Sequence, residues 1–217
     1  MAADPKTFLT PEKAHIFRIT HKDNIPWILR NGLYCSTAGV QDPNFVPIGN
    51  PSLIVSRTTR QLSLPPGGAL ADYVPFYFTP YSPMFLNILS GRNGLTRRSQ
   101  EEICILISSL GTIKKNGLQF MFSDRHAKLD LANFSNRFED LGMISWDDLQ
   151  NRDFKRNPEF PEKFERYQAE ALVHRHVPIK CIDTIVTYTT ELKDAITQEV
   201  ARVGCKTNVA KVTGLYF

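Results

Sequence analysis

The 217-residue chain is 42% hydrophobic and 22% charged, enough apolar material to bury a sizeable core. These values exclude a disordered tail, a collagen-like rod and a small disulfide scaffold, and no apolar run approaches the roughly 18–20 residues of a membrane span. A formal charge of +4, from 26 Lys and Arg against 22 Asp and Glu, is too small to imply duplex DNA or anionic lipid by itself, so a bound nucleic acid would have to be gripped by a local patch.

The first residues (MAADPKTF) carry acid and proline where a signal peptide has a basic and then an apolar stretch, so the expected location is the cytoplasm, with no membrane association. Residues 15–20 (HIFRIT) alternate apolar and polar side chains and predict a strand. Asp23 or Asn24 can then cap a helix running to about Asn31, with Gly32 as its stop. The stretch from 36 to 53 is long and rich in Pro, Gly and Asn, a length more often functional than idle. Residues 53–60 (LIVSRTTR) suit a helix or a short extended piece, which the run 65–68 (PPGG) breaks.

Residues 73–78 (YVPFYF) are aromatic and β-branched, and Pro75 among them predicts an edge or bulged strand. Residues 84–89 suit a helix, 102–110 (EICILISSL) a buried strand and 119–123 (QFMFS) another. Residues 128–165 read as helix and polar loop. Strands are expected again over 169–177 (AEALVHRHV) and 182–188, and a helix over 190–202 with Gly204 behind it. The fold class is mixed α/β (α+β) without a regular βαβ cadence. The sequence contains no G-x-G-x-x-G, P-loop or G-x-S-x-G motif.

Several residues are candidates for chemistry. Glu170 opens an alternating strand, where a carboxylate is either a solvated edge residue or a catalytic group that stabilises a developing oxocarbenium ion. Arg57 and Arg60 are equal candidates, from spacing alone, for a guanidinium fork on phosphate, carboxylate or a polarised carbonyl. His174 and His176, two apart on one strand, share a predicted face that can suit a metal, but no third ligand stands near. The four cysteines, Cys35, Cys104, Cys181 and Cys205, show no C-x-x-C spacing, so reduced thiols and no zinc are expected. His21 and His126 stand at strand ends. Tyr73, Phe76, Tyr77 and Phe78, followed by Arg92, Arg97 and Arg98, can offer stacking platforms and charge to single-stranded nucleic acid, or can simply pack the core.

Four blocks add a resemblance. Residues 16–25 (IFRITHKDNI), 65–83 (PPGGALADYVPFYFTPYSP), 120–126 (FMFSDRH) and 168–173 (QAEALV) occur in the order seen in the DarT family, bacterial toxins that ADP-ribosylate single-stranded DNA from NAD. The sequence resembles that family over most of its length. The resemblance implies one ADP-ribosyltransferase domain over 1–217, a split mixed sheet with a central NAD cleft, and no metal. It implies Glu170 and Arg57 as catalytic residues, with Arg18, Ile19, Thr20, Asn24, Gly32 and Leu33 at NAD and Tyr77, Met84, His126 and Arg92 at DNA. It further implies thymine N3 as the acceptor, a block to replication, and a macrodomain antitoxin that reverses the modification. Guanine, RNA or a protein as acceptor, or a non-catalytic single-strand binding module, are the alternatives. Two positions depart from the family: Arg18 replaces a histidine of some members, and Tyr81 replaces an arginine of many.

Overall fold

The computed structural model describes residues 4–217. Its strands are β1 (His15–His21), β2 (Leu33–Tyr34), β3 (Gln61–Leu62), β4 (Gly68–Ala69), β5 (Tyr73–Tyr77), β6 (Ile103–Ser109), β7 (Phe120–Ser123), β8 (Phe134–Ser135), β9 (Glu170–His174), β10 (His176–Val177), β11 (Thr184–Thr187) and β12 (Asn208–Lys211). The helices are α1 (Ile25–Asn31), α2 (Pro51–Ser56), α3 (Pro83–Ser90), α4 (Leu110–Lys115), α5 (Trp146–Gln150), α6 (Glu162–Arg166) and α7 (Thr190–Val203). Eight strands form one mixed sheet in the order β12-β11-β6-β1-β5-β9-β7-β8, in which only β11 and β12 run parallel.

The sheet is split in the middle. β1 and β6 stay in register over all seven residues, from His15 opposite Ser109 to His21 opposite Ile103, whereas β1 meets β5 only at Phe17 and Tyr77. Pro75 accounts for the gap. A strand residue turns its N–H and C=O to the same side, and the Pro75 carbonyl faces β1, where it accepts a 2.8 Å hydrogen bond from Arg18 Nη1. The donor that proline lacks is therefore missing on the side where the ladder has opened. β5 is an interior strand, not the edge expected from its proline, and it pairs fully with β9 so that Tyr77 stands opposite Glu170.

Burial of the apolar runs holds this sheet together. Ile103, Cys104, Ile105 and Leu106 of β6 are wholly buried, as the unbroken apolar pattern requires of a strand covered on both faces. Tyr73, Phe76 and Phe78 are also buried, so these rings are core and not stacking platforms. Tyr81 is fully buried too. Its hydroxyl donates to the Gly214 carbonyl at 2.6 Å, and the Arg152 guanidinium lies 3.5 Å over its ring and donates to its oxygen. The tyrosine at this departure from the family pattern is a packing residue.

The helix ends follow local chemistry. Asn50 caps α2 by accepting from Ser52 N and Leu53 N, Pro51 fills the first turn, and Ser82 and Thr189 cap α3 and α7. Asn24 does not cap α1; a 3-10 turn precedes the helix, with His21 Nδ1 accepting from Asp23 N at its start. α1 ends at Gly32, whose φ of 77° suits glycine, and a Cβ there would lie 2.4 Å from the Val177 carbonyl oxygen on β10. Gly32→Ala is expected to lower the melting temperature by several degrees, because left-handed strain of about 1 kcal/mol adds to a backbone clash. Thermal unfolding by circular dichroism measures this, and an unchanged midpoint would mean that α1 shifts freely against β10.

His174 and His176 do not share a face. Arg175 between them has φ 63° and breaks the strand, which leaves the His174 ring against Tyr73 and the His176 ring stacked on Tyr34 at 4.1 Å. Among the described residues no group of three or more His, Cys, Asp or Glu is placed to hold a metal. Among the described residues no helix is long and apolar enough to cross a membrane.

Candidate active site

A cleft lies over the split in the sheet. Arg18, Ile19 and Thr20 of β1 and Pro75 and Tyr77 of β5 line it at the split. The loop at 45–50 and Leu53, Ile54 and Arg57 of the α2 region line it as well, together with Met84 and Asn87 of α3, His126, Gln168 and Glu170. α2 buries none of its own residues, so its apolar side chains remain available to the cleft.

Glu170 is the chemical centre. The first residue of β9, it is only 2% exposed, and three donors hold its carboxylate. Arg57 Nη1 reaches Oε2 at 2.8 Å, while the Ala127 backbone N–H reaches Oε1 at 3.0 Å and His126 Nδ1 reaches it at 2.9 Å. Burial alone would raise its pKa, but the Arg57 charge and the His126 hydrogen bond outweigh it and hold Glu170 well below the usual carboxylate range. It is therefore an ionised acceptor at neutral pH and a weak base. The solvated-edge alternative does not fit a carboxylate with this burial and these partners.

The two arginine candidates lie three residues apart in the chain but reach different partners. Arg57 meets Glu170, and its second nitrogen, Nη2, is buried with no hydrogen-bond partner while the side chain lines the cleft. Arg60 instead ties down the neighbouring loop, donating to Asp130 at 2.8 Å and to the Leu129 carbonyl at 3.1 Å. Arg18 also faces the cleft; burial and the nearby Arg57 charge push its pKa down to about 10, so it remains a cation at neutral pH. Burial raises the Tyr77 hydroxyl well above its ordinary value, which keeps it a neutral donor beside Glu170.

His126 has one nitrogen committed. Nδ1 lies 2.9 Å from the ionised Glu170 and only marginally, at 3.5 Å, from Lys128 N, so Nδ1 carries a proton toward the carboxylate. Asn24 is not in the cleft wall. It donates to Thr20 Oγ1 and exchanges two hydrogen bonds with the Val46 backbone, and so fastens the 36–50 loop to β1. Gly32 and Leu33 do not line the cleft; Leu33 pairs with Val177 of β10 on the flanking two-stranded sheet. Arg92 is exposed, and it is the next residue, Asn93, that reaches the cleft lining. Neither the Ala127 N–H nor Asn93 carries a signal in the sequence, because a backbone donor and a left-handed turn asparagine look ordinary there.

The family model described as ssDNA thymidine ADP-ribosyltransferase, DarT, matches residues 17–217. The chain belongs to the DarT family. It is 46% identical over 217 residues, the whole of both chains, to a DNA ADP-ribosyl transferase of Escherichia coli O127:H6. A DNA ADP-ribosyl transferase of Thermus sp. is 37% identical over 186 residues, 86% of this chain and 87% of its own. The solved structure of Thermus sp. 2.9 DarT in complex with ADP-ribosylated ssDNA superposes with TM-score 0.86 at 32% identity, covering 95% of this chain and 98% of that one. The same protein in complex with NAD+ gives 0.80 at 32% identity, covering 95% and 99%. Like its family, the chain is an NAD-dependent ADP-ribosyltransferase, with NAD as co-substrate and an ADP-ribosyltransferase sheet split around the cleft.

Proposed function

We propose that this DarT enzyme transfers ADP-ribose from NAD to N3 of thymine in single-stranded DNA. The observation that carries the reading is the buried, ionised Glu170 held by Arg57 and His126, with Arg57 Nη2 unpaired in the same cleft. NAD lies along β1, against Arg18, Ile19 and Thr20, and the base lies near Tyr77, Met84 and His126. The bond between nicotinamide and ribose breaks with its electron pair leaving on nicotinamide. Glu170 accepts a hydrogen bond from the ribose 2′-hydroxyl and stabilises the positive charge that grows at the anomeric carbon.

Thymine N3 supplies the pair for the new bond and must give up its proton. Glu170 is too weak a base for this, so the proton goes to His126 Nε2, and the Nδ1–H bond to Glu170 stabilises the imidazolium that results. Arg57 Nη2 donates to a thymine carbonyl and eases the build-up of negative charge on the ring. A single strand is required because N3 is engaged in pairing within a duplex. This activity makes the chain a toxin that stalls replication, with a macrodomain antitoxin as the partner that removes the mark.

The test is mass spectrometry of a thymine-containing single-stranded oligonucleotide after incubation with the protein and NAD. One ADP-ribose, mapped by fragmentation to thymine, is the expected result. Transfer only to a guanine oligonucleotide, to RNA or to protein would overturn the acceptor. NAD alone should raise the melting temperature by mass action on the folded state, and a protein that neither transfers nor responds to NAD would be a binding module.

A further inference from the structure

The loop between β7 and β8 supplies two of the three donors that hold Glu170, yet His126 and Ala127 are not anchored by any helix or strand of their own. Asp124, at the foot of the loop, is 4% exposed and spends both carboxylate oxygens on it. Oδ1 accepts from the Asn133 backbone N–H at 3.0 Å and from Arg125 Nε at 3.2 Å. Oδ2 accepts from Asn133 Nδ2 at 3.0 Å and from Arg125 Nη2 at 3.2 Å. The Asp124 N–H in turn donates to the Asn133 carbonyl at 3.1 Å, so the two ends of the loop are locked together.

The neighbouring contacts carry that lock to the site. Ser123 Oγ donates to the Arg125 carbonyl at 2.6 Å and accepts from the Glu170 backbone N–H at 3.3 Å. The His126 N–H donates to the Glu165 carbonyl at 3.0 Å, which fixes its backbone against α6. Everything between Asp124 and Asn133 is turn and coil, and Arg60 holds only the Leu129–Asp130 tip. We propose that Asp124, closed on Asn133, is a positioning residue for transfer, holding His126 and the Ala127 N–H at the distances that keep Glu170 fixed. This rests on the reading of Glu170 as the catalytic carboxylate and goes beyond it by naming what aligns it.

The consequence is a pH signature. The groups facing Glu170 are Arg57 behind α2, Arg18 on β1, Tyr77 on β5 and His126 on the loop, and only the last is released when the clamp opens. Losing the His126 and Ala127 hydrogen bonds raises the pKa of Glu170. Its titration therefore moves up from about 2 toward the ordinary carboxylate value, with Arg57 still in place to keep it below that value.

The experiment compares wild type, Asp124→Asn, Asn133→Ala and the reciprocal pair Asp124→Asn with Asn133→Asp. Single-turnover transfer to a thymine oligonucleotide and the KM for NAD are measured near pH 7, and the Glu170 carboxyl carbon is titrated by NMR from about pH 2.5 to 7. Asp124→Asn is expected to lower kcat about 10-fold at neutral pH through misplacement of His126 and the Ala127 N–H, with the KM for NAD within about 3-fold, and to move the Glu170 titration up by about one pH unit. Asn133→Ala, which removes one donor and keeps the buried acid, should shift in the same direction by less, and the reciprocal pair should recover part of the loss. A Glu170 titration that stays at its wild-type position in every variant would overturn the proposal, even if melting temperatures fall. If wild type fails to modify the oligonucleotide, it is the acceptor reading that fails, and the substrate-free NMR titration still decides the clamp.

Discussion

Glu170→Gln is expected to reduce ADP-ribosyl transfer by roughly 10³-fold while NAD still binds, the scale seen when one preorganised electrostatic group is removed from a reacting centre. The substitution is nearly isosteric and keeps an oxygen that can accept from Arg57. It removes the negative charge that opposes the cation forming at the ribose, and it puts an NH2 where a carboxylate oxygen now meets the Ala127 N–H and His126. The fold should tolerate it. Burying a carboxylate costs desolvation energy that glutamine avoids, so the lost ion pair is partly offset and the melting temperature should move by only a few degrees. Single-turnover transfer and a thermal shift with NAD separate the two effects. Near-wild-type transfer in the variant would remove Glu170 from the mechanism, whereas loss of the NAD shift together with transfer would make it a cofactor-binding group.

Wild type should, by the same physics, show no acid limb from Glu170 between about pH 5 and 8, since Arg57 and His126 hold its pKa below the ordinary carboxylate value.

How far this site can be read without coordinates depends on what each residue's neighbours are in sequence. Alternation and apolar runs locate β1, β6, β9 and β11, because a buried face repeats every two residues and a buried strand is apolar throughout. β2, β3, β4, β8 and β10 have only two residues each, too few to show a period, and β12 has four, exposed at both ends and half-buried between, with no alternation to read. The edge reading of Pro75 failed for an instructive reason. A proline demotes a strand only if its missing donor is needed, and here it faces the split that makes the cleft. The ring-rich stretch at 73–78 divides between core and cleft by strand alternation interrupted at that same split, and only Tyr77 reaches the cleft. Arg57 and Arg60 are indistinguishable by composition. What separates them is that three residues of chain carry one to Glu170 and the other to the tip of the 124–133 loop, contacts made across 113 and about 70 residues. The family blocks mark Glu170 and His126 but not the asparagine that closes the loop at 133, since a side chain that only completes a hydrogen-bonded turn leaves no pattern.

Replacing Arg57 separates charge from geometry. Arg57→Ala leaves a carboxylate that is 2% exposed without its cation, and breaking a buried pair in this way costs about 3–5 kcal/mol. His126 and the Ala127 N–H remain and reduce that cost, so a fall of about 5–10 °C in melting temperature is expected for a chain of this size. The sign with pH is definite. In wild type the depressed Glu170 pKa contributes stability that is present above the unfolded value of 4.5 and is lost as pH falls through the folded value of about 2. The alanine variant lacks most of that depression, so the gap between the two melting curves should be widest near neutral pH and close steadily as pH falls from about 5 to 2. Arg57→Lys keeps the charge and should recover much of the stability. It cannot present both Nη1 to Glu170 and Nη2 to a base, so transfer to DNA should stay near the alanine level while NAD still binds. A lysine variant that restores transfer in proportion to its stability would reduce Arg57 to a counter-ion, and one that loses the NAD response would assign the fork to the cofactor instead of the acceptor.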